Sequence, residues 1–203
     1  MTIKLHGFPQ TRATRVHWML EEVGADYEFV TVEIMKGAHK QPDYLAKHPH
    51  GRVPYFEDGD VKLLESCAAV LYLADKHADK KLAPPIDSPA RADYYQWVVY
   101  AAATLDKPSI DTYFHKVVFP PERRRAEVVE EHRPTLEASM RILENALKGK
   151  TWLLGDAFSA ADVAIGYSLN LADKAGAIVD APGVAAYLGR LRERPAFKKA
   201  YGL

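Results

Sequence analysis

Between Gly51 and Ser66 the chain reads Gly-Arg-Val-Pro-Tyr-Phe-Glu-Asp-Gly-Asp-Val-Lys-Leu-Leu-Glu-Ser, and few architectures accommodate that order. Val53-Pro54 opens a run, Pro54 to Glu57, whose alternation is that of a short strand, and the bond before Pro54 is one that can be cis. Asp58-Gly59 is a strong hairpin signal, because a type I′ turn needs positive φ at both central residues. Val61 to Leu64 returns as the partner strand. Glu65-Ser66 then open an apolar helix, where a serine in the first turn beside an acidic residue is favoured. A hairpin therefore delivers an acid and a hydroxyl to a helix N-terminus, a place suited to a small zwitterion.

The rest of the chain supplies a sheet for that hairpin. Ile3 to Phe8 reads as a strand ended by Pro9. A helix follows, with Val16, Met19, Leu20 and Val23 at helical spacing and Gly24 as its stop. Tyr27 to Val32 is rich in aromatic and β-branched residues and reads as a second strand. Strand–helix–strand implies parallel pairing through a right-handed crossover. A short helix at Asp43 to Lys47 precedes the hairpin, and the hairpin's own helix runs from Glu65 to His77. The order βαβ-ββα gives a mixed four-strand sheet in an α/β domain over 1–78.

Pro84, Pro85 and Pro89 mark 79–89 as a linker. No strand is expected beyond it, so 90–203 reads as an all-helical domain. Ala90 to Leu105 carries a helical stripe that Pro108 interrupts. Glu122 to Leu147 is a long helical stretch in which Pro134 marks a kink or split and Gly149 an end. Ser159-Ala160-Ala161-Asp162 is a capping box with Phe158 and Val163 placed as its staple. Shorter helices follow at Val184 to Glu193 and Ala196 to Tyr201, separated by Pro195.

Composition removes several functions. Lys plus Arg and Asp plus Glu both number 27, so the basic excess of a nucleic-acid binder is missing. Neither a signal-peptide pattern nor an apolar run of membrane length appears, which makes a cytoplasmic location the default expectation. The one cysteine, Cys67, is too few for an internal disulfide, a redox pair or a structural zinc site, and reads as a small core residue. The eight histidines show no metal-ligand spacing, and His48-Pro49-His50 reads as a turn.

Four stretches in order carry a resemblance: Gly7 to Arg15, Lys36 to Lys40, Gly51 to Ser66, and Gly155 to Asp162. Together they make the chain similar to the cytosolic glutathione transferases, with a thioredoxin-like first domain and a helical second one. His39-Lys40 and Glu65-Ser66 point to the phi class and its bacterial serine-type relatives. The resemblance implies an enzyme that attaches the glutathione sulfur to small hydrophobic electrophiles, with glutathione as co-substrate and no bound cofactor. Reduction of organic hydroperoxides by the same thiolate, or a non-catalytic glutathione-binding module, are the alternatives. It further implies a homodimer, with Tyr72, Tyr94, Tyr95 and Trp97 as contact or core residues, and no nucleic-acid or membrane partner.

Residue by residue, the resemblance implies that Glu65 pairs with the γ-glutamyl ammonium and Ser66 binds that end's carboxylate. Val53 offers its N–H and C=O to the cysteinyl backbone, with a cis Pro54 turning them outward. His39 and Lys40 meet the glycyl carboxylate. Arg52 stands where the family pattern has glutamine. Thr11 matches the catalytic hydroxyl position, where serine is commoner, and its β-branch restricts the rotamer that aims it. Arg12 and Arg15 add positive potential. Phe8, Tyr113, Phe114 and Phe119 are the aromatic candidates for an electrophile pocket, each also readable as core.

Overall fold

The computed structural model describes residues 2–203. The chain separates into two compact units, Met1–Leu82 with Arg194–Leu203, and Ala83–Glu193.

The first unit is built on a four-strand sheet in the order β2-β1-β3-β4. Strands β1 (Ile3–Gly7) and β2 (Tyr27–Thr31) run parallel, joined by helix α1 (Ala13–Val23). Strand β3 (Tyr55–Asp58) pairs antiparallel with β1, in the register Leu5 to Phe56, and with β4 (Val61–Leu63). The βαβ-ββα reading is thus the observed topology. Helix α1 buries Val16, Trp18, Met19, Leu20 and Val23 and stops at Gly24, whose φ of 66° lets its N–H close on Glu21 and Leu20 carbonyls. The short helix α2 (Pro42–Leu45) precedes the hairpin, and helix α3 (Ser66–Lys76) buries Cys67, Val70, Leu73 and Ala74, so Cys67 is a core residue.

The turn between β3 and β4 lies one residue beyond the expected position. Asp58 pairs with Val61, so the two loop residues are Gly59 and Asp60, and only Gly59 has positive φ, at 60°. That is the pattern of a type II′ turn, which needs glycine at its first central position and nothing special at the second. Asp58 is held on the strand because its carboxylate accepts bonds from Tyr72 Oη at 2.9 Å and from Lys76 Nζ, both on α3.

The last helix, α9 (Pro195–Tyr201), was expected with the helical domain but packs in the first unit. Phe197 meets Trp18 edge to face at 4.9 Å. Arg194 forks onto Glu22 through two bonds of 2.6 Å, and Lys199 Nζ lies 2.8 Å from Glu21. Burial of an aromatic side chain with a bidentate ion pair outweighs sequence proximity to the preceding helix.

The second unit contains helices only, apart from an isolated bridge between Trp152 and Gly155. Pro108 does not interrupt its first helical run. Helix α4 (Ala90–Tyr100) passes into a π turn, Ala101–Leu105, and on into α5 (Asp106–Tyr113). The Asp106 N–H reaches back to the Ala101 carbonyl, so the turn before Pro108 is already widened and its ring meets no regular α-turn. Helix α6 (Ala126–Ala146) likewise runs through Pro134 without splitting. Tyr94 and Trp97 of α4 are buried, while Tyr95 is exposed.

Helix α7 (Ala160–Lys174) is buried all round over its first three turns and forms the centre of this unit. The capping box that starts it is present. Asp162, with no solvent exposure, accepts from the Ser159 N–H at 2.8 Å, the Leu153 N–H at 3.0 Å and Tyr187 Oη at 2.8 Å, with Ser159 Oγ at 2.9 Å. Burial raises its carboxyl pKa, and these bonds oppose that rise. Helix α8 (Pro182–Glu193) is seated by Glu144 of α6, whose carboxylate accepts the Gly183 and Val184 N–H groups at 2.9 Å. No described helix is long and apolar enough to cross a membrane.

Two outcomes follow from this packing. In Asp162→Asn an amide NH₂ faces groups that themselves donate, so the variant should lose about 2–4 kcal/mol. The loss is readable as a melting temperature lower by roughly 5–15 °C. His6, His17 and His48 all have pKa values below 6.5, burial being the largest cause in each. The unfolded chain then takes up protons that the folded chain refuses, so stability is lost as pH falls through about 6.5. Urea unfolding should show a lower midpoint at pH about 5.5 than at about 7.5.

Candidate active site

The hairpin brings three features to one place in the first unit. The Val53–Pro54 bond is cis. Val53 lies just before β3, and none of the described residues hydrogen-bonds its N–H or C=O. At the far end of β4, Glu65 occupies the N-cap of α3 in extended conformation, and no side chain caps that helix. Glu65 is exposed and Ser66 is buried. An uncapped first turn keeps donors and a partial positive charge available to an anion.

Ser66 has a partner that the sequence reading gave only a general role. Arg15, on the buried face of α1 with no solvent exposure, donates from Nη1 to Ser66 Oγ at 2.9 Å. Its signal in the sequence was a cation inside an apolar helical stripe, beside Val16 and one turn after Thr11.

Thr11 sits at the turn before α1. Gln10 takes positive φ, 62°, which returns the chain so that the Thr11 N–H bonds the Phe8 carbonyl at 3.3 Å. The Thr11 hydroxyl donates to the same carbonyl at 2.6 Å and accepts the Ala13 N–H at 3.3 Å. Its one proton therefore rests on the Phe8 carbonyl. Thr14 is buried, and its N–H bonds the Thr11 carbonyl at 2.8 Å.

His39 and Lys40 lie on a 3₁₀ turn, Ala38–Lys40. His39 Nδ1 is buried without a hydrogen-bond partner, and Lys40 Nζ donates to the His50 carbonyl at 3.0 Å. Gly51 is what lets this turn close on the hairpin. Its φ is 55°, and a Cβ there would meet the His39 carbonyl oxygen at 2.5 Å. The carbonyl of Arg52 accepts from Tyr44 Oη at 2.7 Å, which fixes the strand entry while the Arg52 side chain is exposed.

In the second unit the aromatic candidates divide. Tyr113 belongs to a core cluster with Tyr167, Leu171 and Ala175. Phe114 packs against that cluster and, with Phe119, also lines a cavity of about 580 Å³ whose wall includes Ile110, Asp111, His115, Glu122, Arg123 and Arg125. A π turn, Phe114–Val118, closes with the Phe119 N–H on the Phe114 carbonyl at 2.8 Å, bringing the two rings to 5.3 Å edge to face. The Arg123 guanidinium lies 4.7 Å from the Phe119 ring. Burial would raise the Asp111 pKa, but hydrogen bonds from Lys107 and His132 prevail and hold it below the usual range. Phe8 is half-buried in the first unit.

The hairpin thus carries a helix start without a side-chain cap and a strand-entry backbone without a hydrogen-bond partner among the described residues, and the turn before α1 carries the Thr11 hydroxyl. Comparison with known proteins places the chain in a family. Residues 1–75 match the family model described as "Glutathione S-transferase, N-terminal domain", and residues 108–195 match "Glutathione S-transferase, C-terminal domain". Glutathione S-transferase 3 of Zea mays is 34% identical, with 97% of this chain and 92% of the relative covered. Glutathione transferase F7 from Populus trichocarpa superposes with a TM-score of 0.90 at 29% identity, covering 99% of this chain and 98% of the other. A glutathione transferase family member from Pseudomonas fluorescens pf-5, solved with two glutathione bound, gives 0.89 at 25% identity, covering 98% and 92%. With both models matched in order and a full-length relative at this identity, the chain belongs to the glutathione S-transferase family.

Proposed function

We propose that this glutathione transferase joins the glutathione sulfur to small apolar electrophiles, with the tripeptide held by the hairpin, α3 and the turn at Thr11. The observation that carries the reading lies on one continuous hairpin-to-helix element. There a Val53 backbone without a hydrogen-bond partner among the described residues precedes a helix start without a side-chain cap. Val53 would pair with the cysteinyl backbone as an added strand does. Glu65 would take the γ-glutamyl ammonium, and Ser66 with the α3 N-terminus the adjoining carboxylate. His39 and Lys40 are suited to the glycyl carboxylate, and the exposed Arg52 to a charge-assisted contact beside it. The Pseudomonas fluorescens relative, solved with two glutathione bound, supports glutathione as the ligand.

Activation falls to Thr11. A free thiol has pKa about 8.5, and lowering it by two units takes about 2.7 kcal/mol. A hydrogen bond to a charged group contributes about 1.5–3 kcal/mol, and a helix N-terminus about 0.3–1. One hydroxyl and the start of α1 therefore suffice. The hydroxyl must turn from the Phe8 carbonyl to the sulfur, and that carbonyl keeps the Thr11 N–H as its donor. The thiol proton passes to water and the thiolate's electron pair forms the bond to the electrophilic carbon; in displacement the leaving group departs with its bonding pair, and in addition the π pair moves to the neighbouring atom, which then takes a proton from water. The apolar wall of Ile110, Phe114 and Phe119 is the part of the second unit suited to the electrophile. A homodimer is inferred through α4, where Tyr95 and Val99 are 39% and 58% exposed.

Thr11→Val should reduce kcat/KM with a reactive aryl halide by about tenfold or more, and Thr11→Ser should stay within about threefold of the parent. The pH–rate profile of the valine variant should shift upward, toward the free thiol. Equal rates for all three proteins would assign the thiolate donor elsewhere. Failure of the parent protein to bind immobilised glutathione would remove the reading altogether. Sedimentation should give twice the chain mass, and Tyr95→Asp with Val99→Asp should return the single-chain mass.

A further inference from the structure

We infer that Arg15 is a positioning residue for glutathione, fixing the Ser66 hydroxyl as a donor toward the carboxylate of the γ-glutamyl end. The inference rests on the reading that Ser66 binds that carboxylate. A guanidinium has five N–H donors and no acceptor. In the 2.9 Å bond from Arg15 Nη1, Ser66 Oγ must therefore accept. A hydroxyl has one proton and two lone pairs, and with one lone pair engaged by Arg15 the proton points away from the guanidinium, toward another acceptor. Serine in a first helical turn otherwise turns its oxygen toward nearby backbone groups. Arg15 narrows that choice.

The surroundings strengthen the effect. Arg15 has no solvent exposure and Ser66 is 2% exposed, so the contact lies outside the screening of water. The guanidinium bonds the first residue of α3 and has the same sign as that helix end, so both favour an anion at Ser66. Burying a charge costs several kcal/mol, and a well-packed apolar side chain of similar volume is often at least as stable.

The kinetic consequence is specific. The γ-glutamyl carboxylate keeps its charge while sulfur attacks carbon, so an interaction with it is the same in ground and transition states. Its loss therefore raises KM and leaves kcat unchanged. Arg15→Met should raise KM for glutathione by about tenfold with kcat within about twofold. With the analogue whose γ-glutamyl end lacks its α-carboxylate, the variant and the parent should have the same KM. On a Ser66→Ala background, Arg15→Met should add less than about twofold, because the two residues act as one unit. Arg15→Lys, also a donor without an acceptor, should restore the preference for the carboxylate-bearing thiol.

Equal losses on both thiols, additivity with Ser66→Ala, or a fall in kcat at constant KM would each overturn the inference. Should Arg15→Met fail to fold, a folded Arg15→Lys that weakens both thiols alike overturns it as well. If Ser66→Ala by itself leaves KM unchanged, the reading of the glutathione site fails, which is a different result from additivity.

Discussion

A guanidinium with no solvent exposure joins the first helix of this chain to the start of its third, through one hydrogen bond to a serine hydroxyl. Much of the first unit holds that contact in place. Arg15 is held on α1 by the apolar face that packs the helix into the unit, Val16, Met19 and Leu20 among it. Ser66 is fixed at the first position of α3 because β3 and β4 set where that helix begins. Strand β3 is in turn paired on both sides, with β1 and β4. A shift of one residue in that hairpin would turn its side chains to the other face and move the helix start. Gly59 and the Asp58 bonds to Tyr72 and Lys76 oppose such a shift.

The second unit depends on a buried carboxylate instead. Asp162 gathers bonds from the loop before α7, from the helix start itself and from α8. The result is a rigid centre on which a less regular run can be hung. That run, from α4 to the second π turn, twice departs from i→i−4 bonding, and the second departure opens the cavity wall at Phe114 and Phe119. π turns recur at functional sites because they change side-chain direction without ending a helix.

The parts of the fold that depend on local chemistry were legible in the sequence. The parts that depend on distant contact were not. Alternation, the glycine stops and the capping box describe each segment by itself, and the elements they predict are present with small changes of boundary. The hairpin turn moved by one residue because the Asp58 carboxylate is bound by α3, which no window around Asp58-Gly59 contains. Helix α9 joined the first unit through Trp18, Glu21 and Glu22, which are far from it in sequence. Pro108 looked like a break because a widened turn upstream leaves no compositional trace.

The candidate site follows the same division. His39, Lys40, Val53, Pro54, Glu65 and Ser66 could be named from motifs, since each lies in a stretch with its own pattern. The bond that orients Ser66, and the present engagement of the Thr11 proton with Phe8, are properties of atoms brought together by folding. Tyr113 and Phe114 are neighbours in sequence, yet only Phe114, which packs on the core cluster that holds Tyr113, also lines the cavity. The central claim is that a single hairpin-to-helix element binds the tripeptide. Backbone amide resonances followed during a glutathione titration test it most directly. The Val53 and Ser66 amides should shift together and saturate at one ligand concentration, with His39 and Lys40 following the same curve. If glutathione binds while the Val53 and Ser66 amides stay where they are, the account is wrong.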